Sequence, residues 1–176
     1  MTERKEVSEM PEIMLLNQET IDKIAAGEVV ERPSSVVKEL VENSIDAGST
    51  NIIVEVKNGG KTLVKVTDNG KGIATSDMAI SLERHATSKI RKIEDLEQSY
   101  TMGFRGEALA SISAISELTM ISKTDDEPVA NKLFARAGQI ESWEEVAAQK
   151  GTTIIVEKLF FNTPVRYKFL KNDATE

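Results

Sequence analysis

The chain has no cysteine and one histidine, His85. Disulfides and thiolate metal sites are thereby excluded, as are zinc centres built from several histidines. No apolar run approaches the roughly 20 residues of a membrane-spanning helix, which argues against a membrane protein. Residues 1–12 are polar and rich in glutamate. They lack the apolar stretch of a secretory signal and read as a disordered leader. Together these absences point to a cytoplasmic protein. Positive charge is also in short supply, with 22 Lys and Arg against 29 Asp and Glu and a net charge of -7. Gripping nucleic acid through its phosphates usually takes a basic surface, so tight DNA binding by this chain is not expected. A local basic face of Arg84, Lys89, Arg91 and Lys92 is the exception, its alternative being ordinary solvated surface charge.

What remains is the material of one globular domain. The 176 residues are 40% hydrophobic and 29% charged, enough to bury a real core. Apolar residues at helical spacing predict a short helix over 17–31, with Ile21, Ile24 and Ala25 on one side. The clearest helix lies in "ERPSSVVKELVENSIDAG", where Pro33 suits the first turn and Gly48 the stop. Val36, Val37, Leu40, Val41, Ser44 and Ile45 form its nonpolar arc, and Glu39 and Asn43 ride together along one margin. Alternating segments at 52–56 and 63–67 flank Asn58-Gly59-Gly60-Lys61, a strong hairpin signal. Helices are predicted at 76–83 and from Glu107 to about Ile115. Strands are predicted at 118–122, 132–135 and 152–157, with turns at Asp125-Asp126 and Gly138. This mixture predicts an α+β fold, a two-layer sandwich with helices on one face of a mixed, mostly antiparallel sheet.

Four motifs carry chemistry. In "VKVTDNGKGIA" Asp68 shares strand parity with Val64 and Val66, so its carboxylate points toward the core side and needs donors there. Gly70 and Gly72 follow in a turn where backbone can approach a ligand closely. Read alone, the motif also fits a hairpin turn with Asp as an Asx cap. Glu39 and Asn43, one helical turn apart, can order a water and hold a metal-bound phosphate on one face, or simply form a solvated face. In "GFRGEALASIS" a loop bounded by Gly103 and Gly106 feeds a helix near Glu107. That arrangement offers free N–H groups to phosphate, or is no more than a well-capped helix. The aperiodic run before it has the look of an active-site lid. Finally, Gly151, Thr152 and Thr153 open an apolar strand, where small hydroxyls can serve a bound base or are merely good strand residues.

In this order the motifs resemble the GHKL ATPase superfamily, which contains type II topoisomerase ATPase domains, heat-shock chaperones and histidine kinases. Within it, "IAAGEVVERPSSVVKELVENSIDAG", "DNGKGI", "RHATSKI", "GFRGEALASIS" and "LFFNTPVRYKFL" are similar to the MutL family of bacterial DNA mismatch-repair proteins. The resemblance covers residues 13–171. A gyrase-like lid would read G-L-H-G-V-G where this chain has Gly103-Phe104-Arg105-Gly106-Glu107, which sets the topoisomerase branch aside.

The resemblance implies a GHKL ATP-binding domain over 13–176 that binds ATP with Mg2+. Glu39 would be the general base that orients the attacking water, and Asn43 the magnesium ligand. Asp68 would accept from the adenine amino group, with Gly70, Gly72, Ile73 and Ala47 around the base. Thr153 or its neighbour Thr152 would support the base through water. Thr87, Ser88, Gly103, Phe104, Arg105, Gly106, Glu107, Ala108 and Leu109 would form the lid over the triphosphate. It further implies a second domain supplying a lysine to the γ-phosphate, and a C-terminal dimerisation region that in many bacteria carries an endonuclease. Both are expected to lie beyond this sequence. Implied partners are a MutS-type mismatch-recognition protein, DNA, downstream repair factors and a second N-terminal domain. Two functions then compete: a slow magnesium-dependent ATPase serving mismatch repair, and a nucleotide-gated dimerisation or partner-binding module with negligible turnover.

Overall fold

A computed structural model describes residues 14–84 and 107–170. The leader, His85, Lys89, Arg91, Lys92, Thr87, Ser88 and Gly103 to Gly106 lie outside these residues.

Helix α1 spans Gln18–Val29 and starts where the Asn17 side chain accepts from the Thr20 N–H at 2.8 Å. Helix α2 spans Pro33–Asp46, with Pro33 in its first turn. Strands β1 (Ile52–Lys57) and β2 (Leu63–Asp68) form the predicted hairpin, turned by a 3-10 segment at Asn58–Gly60. The predicted helix at 76–83 is two short pieces, α3 at Thr75–Met78 and a 3-10 turn at Ile80–Leu82. Then come α4 (Ala108–Ala114), β3 (Glu117–Lys123), β4 (Ala130–Arg136), β5 (Gln139–Val146), β6 (Gly151–Glu157) and α5 (Pro164–Lys168). Both β5 and α5 go beyond the sequence expectation. In β5, seven of eight residues are exposed, so it has no alternation to read.

Among the described residues, six strands form one sheet in the order β1-β2-β6-β3-β4-β5. Every neighbouring pair is antiparallel, where a mixed, mostly antiparallel sheet was expected. Alternation along the inner strands assigns the faces: Val64, Val66, Leu118, Met120, Leu133, Ala135, Ile154 and Val156 are buried, their neighbours half-buried or, at Arg136 and Glu157, exposed. Val36 and Leu40 of α2 join Ile112, Ile115, Met78 and Phe160 in that core. Each such side chain, fully buried, contributes about 1.5–3 kcal/mol. The nonpolar arc of α2 is narrower than expected. Val36, Leu40 and Ser44 are buried at a strict four-residue spacing, whereas Ile45 is 60% exposed because it lies one step round the helix, off that stripe.

Candidate functional site

β2 ends at Asp68, and the strand parity that puts Val64 and Val66 into the core turns this carboxylate toward α2. Three donors meet it. The backbone N–H groups of Gly70 (2.9 Å) and Thr152 (3.2 Å) donate to Oδ1, and the Ser44 hydroxyl donates to Oδ2 at 2.8 Å. An ionised carboxylate has about four acceptor positions. Three elements thus converge on one group: α2 through Ser44, the turn after β2 through Gly70, and β6 through Thr152.

Residues 69–75 are bound on both sides. Asn69 Oδ1 accepts from the N–H groups of Thr50 and Asn51, both at 2.9 Å, and the Lys71 N–H donates to Ala47 O at 3.0 Å. On the other side the Ile73 N–H donates to Ser122 Oγ at 2.8 Å, and Ser122 Oγ lies 3.0 Å from Thr152 Oγ1. Ala47 stands against Gly70: a Cβ built on the glycine would fall 2.8 Å from Ala47 Cβ. Gly72 has φ +77°, and a Cβ there would meet Lys123 O at 2.2 Å. Gly151, at φ +121°, would put one 2.0 Å from Asp68 O. The close backbone approach expected at Gly72 is therefore already made by the protein to itself, strand end against turn.

The paired threonines separate. Thr152 is the register partner of Asp68 and lies on its face, while Thr153 pairs with Thr67 and donates to Thr67 Oγ1 at 3.2 Å on the opposite face. Period-two alternation allows no other outcome, so Thr152 alone of the pair can serve a ligand at Asp68. Glu39 and Asn43 are both half-buried on α2, the helix that carries Ser44. Of the expected lid only Glu107, Ala108 and Leu109 fall among the described residues. They sit at the start of the seven-residue α4, which packs against α1, β3 and β4. The Arg84 guanidinium, the described member of the expected basic face, lies 3.4 Å from Asp22. A separate open cleft of about 680 Å³ between the end of α1 and α5, lined by Gly27, Arg32, Pro164, Arg166 and Phe169, contains none of the expected site residues.

Ser44, Ser122 and Asn69 were not expected at the site. A hydroxyl on the buried stripe of α2, four residues from Leu40, was the available signal for Ser44. Nothing local marks Ser122, a single serine near the end of β3.

Residues 31–162 match the family model described as histidine kinase-, DNA gyrase B- and HSP90-like ATPase. The chain belongs to this ATPase family. Within this ATPase family it is similar to the DNA mismatch repair protein MutL of Agathobacter rectalis, 57% identical over 95% of this chain and 26% of that protein. MutL of Streptococcus thermophilus is 54% identical over the same shares. The chain thus spans about a quarter of the length of the curated relatives it matches. Among solved structures, the Aquifex aeolicus MutL ATPase domain complexed with ADP superposes with a TM-score of 0.65 at 37% identity, covering 84% of this chain and 50% of that one. A structure described as the N-terminal domain of a DNA repair protein gives 0.70 at 38% identity, over 84% and 42%. The antiparallel sheet under α1, α2 and α4 is accordingly the fold of this ATPase family.

Proposed function

We propose that the domain binds ATP with its base on Asp68 and its phosphates toward Asn43 and Glu39, and hydrolyses it slowly. In the whole protein, turnover would couple mismatch recognition to later steps of DNA mismatch repair. The observation that carries this reading is the Asp68 carboxylate, held by Ser44, Gly70 and Thr152 with an acceptor position to spare. A fixed acceptor suits the exocyclic amine of adenine, and ADP in a relative of the same fold supports an adenine nucleotide. Ala47, Gly70, Gly72 and Ile73 would flank the base, and Thr152 would support it. The lid residues Thr87, Ser88 and Gly103 to Leu109 keep the phosphate role that the resemblance implies.

Among the described residues no group of three or more acidic or histidine side chains is placed to hold a metal ion. A lone carboxamide oxygen at Asn43 instead suits magnesium, which retains several waters and takes its other ligands from phosphate. When bound, that ion would neutralise the negative charge that develops on the phosphates. The chain's own work is then positioning. Asp68 fixes the base, and Asn43 fixes the phosphate end from the same helix. Glu39, one turn before Asn43, takes the proton of the attacking water. A γ-phosphate lysine from a second domain would add charge stabilisation. A MutS-type protein, DNA, downstream repair factors and a second copy of the domain are the partners this reading carries for the whole protein.

Calorimetry with ATP, with and without magnesium, tests the proposal on the wild-type protein and Asn43→Ala. Binding strengthened by magnesium in the wild type alone is the expected result. A folded protein that binds no ATP in either condition sinks it.

A further inference from the structure

Glu127, in the turn between β3 and β4, makes four hydrogen bonds that the nucleotide reading leaves unused. Its Oε1 accepts from the Thr75 N–H at 2.8 Å and the Thr75 hydroxyl at 2.6 Å. Its Oε2 accepts from the Thr124 N–H at 3.1 Å and the Thr124 hydroxyl at 2.9 Å. The network continues in one donor direction. Asn131 Nδ2 donates to Thr75 Oγ1 at 2.8 Å, and Trp143 Nε1 donates to Asn131 Oδ1 at 2.8 Å. Asn131 is buried, Thr75, Thr124 and Glu127 are half-buried and Trp143 is exposed, so this polar chain runs from the interior to the surface with every member partnered, and it ties together the elements it joins.

It joins the two sides of the base site. Thr75 begins α3, directly after the turn that carries Gly72 and Ile73. The Thr75 N–H belongs to the first helical turn, where no backbone acceptor is available, and Glu127 supplies one from a different element. Residues 72, 73 and 75 are thereby seated on 123, 122 and 127 in turn: Gly72 against Lys123 O, Ile73 on Ser122 Oγ, Thr75 on Glu127. Asp68 fixes one end of this turn and Glu127 the other.

We propose that Glu127 is a positioning residue for nucleotide binding, closing the turn at residues 69–75 onto the β3–β4 turn so that Gly72 and Ile73 are held at the base. The inference rests on the reading of Asp68 as the base acceptor. Glu127 acts through Thr75 and touches no ligand. Its loss frees one end of the wall but leaves Asp68, Asn43 and Glu39 in place, so affinity falls and the chemical step does not.

The test compares Glu127→Ala, Glu127→Gln and Thr75→Val with the wild-type protein. ATP affinity is measured by calorimetry, and amide hydrogen exchange is followed peptide by peptide. Glu127→Ala is expected to weaken ATP binding about tenfold, the cost of ordering the freed turn when the nucleotide binds. Exchange should accelerate in the peptide spanning 69–76 and stay unchanged in β2, β3 and β6. Glu127→Gln should fall between, because its remaining oxygen still serves Thr75 while its amide meets the Thr124 donors. Thr75→Val tests the clamp should Glu127→Ala unfold: it keeps the N–H bond and loses the hydroxyl, and should accelerate the same peptide alone. Wild-type affinity in Glu127→Ala, or acceleration spread evenly over the sheet in every variant, would overturn the proposal. Failure of the wild type itself to bind ATP would instead bring down the nucleotide reading, and this one with it.

Discussion

Replacing Asp68 by asparagine separates recognition from folding. The two fixed N–H donors, of Gly70 and Thr152, both point at Oδ1, so the asparagine oxygen should take that position. Its amide then occupies the place of Oδ2, facing Ser44. The serine can accommodate this: its hydroxyl lies 3.1 Å from Leu40 O as well as 2.8 Å from Asp68. It can rotate, donate to the carbonyl and accept from the new amide. The cost to folding should be about 1 kcal/mol, the difference between charged and neutral hydrogen bonds. Toward a nucleotide the change is larger. A donor now faces the adenine amine, which loses a charge-assisted bond of about 1.5–3 kcal/mol and leaves a buried donor unsatisfied at about 1–3 kcal/mol. ATP affinity should fall by about 10²- to 10⁴-fold. Inosine triphosphate, with an oxygen where ATP has its amine, should lose much less, so the ratio of the two affinities moves toward inosine. Calorimetry with both nucleotides, beside a thermal melt, reads all three quantities. A folded Asp68→Asn protein that holds ATP within threefold of wild type, with the ratio unmoved, would refute recognition of the base by this carboxylate.

Other perturbations probe neighbouring links. Glu39→Gln should bind ATP normally and lose about 10²- to 10⁴-fold in phosphate release, the usual contribution of a positioned general base. Leu40→Ala empties a site 2% exposed beneath Glu39 and Asn43, and should cost about 2–5 kcal/mol in denaturant unfolding. Arg166→Ala should cost about 1–3 kcal/mol, because its Nη1 donates to Gly27 O at 2.9 Å and Val30 O at 2.6 Å, and α1 has no basic residue of its own in its last turn. Arg166→Lys should recover part of that loss and Arg166→Gln little. For Glu127, the hydrogen bonds from Thr75, side chain and backbone, and from Thr124 hold the carboxyl down to about 2 from the ordinary 4.5. With the folded value below the unfolded one, this stabilisation is complete above pH 4.5 and drains away as pH falls toward 2. Acid unfolding curves of Glu127→Gln should therefore be flatter than wild type in that window and parallel above it.

How far the sequence was legible depends on whether a residue's partner lies nearby in the chain. α1, α2 and the β1–β2 hairpin were readable because caps, Pro33, Gly48 and alternation act within a few residues. The inward carboxylate of Asp68 was readable because parity with Val64 and Val66 is local too. Two of its three donors were not: Ser44 comes from 24 residues away and Thr152 from 84, while only Gly70 is local. Strand parity puts Thr152 and Thr153 on opposite faces, but only the register Asp68↔Thr152 fixes which one faces α2. That register is a tertiary fact, set when β6 docks on β2. The motif "LFFNTPVRYKFL" makes the same point in reverse. It is distinctive as text, yet nothing local says what its polar residues do. In the fold, Asn162 donates to Ala114 O at 2.8 Å at the end of α4, and Arg166 closes the end of α1. Both helices end in free carbonyls that must be satisfied, and the motif satisfies them from the far end of the chain. A built Cβ on Gly27 would fall 2.6 Å from Arg166 Nη2, so the arginine tip packs on the space that the glycine leaves. Gly27→Ala should lose less stability than Arg166→Ala, because the arginine tip can shift and alanine favours the helix, and the double variant should lose less than the sum. Additive losses in that cycle would show that the two side-chain positions act independently.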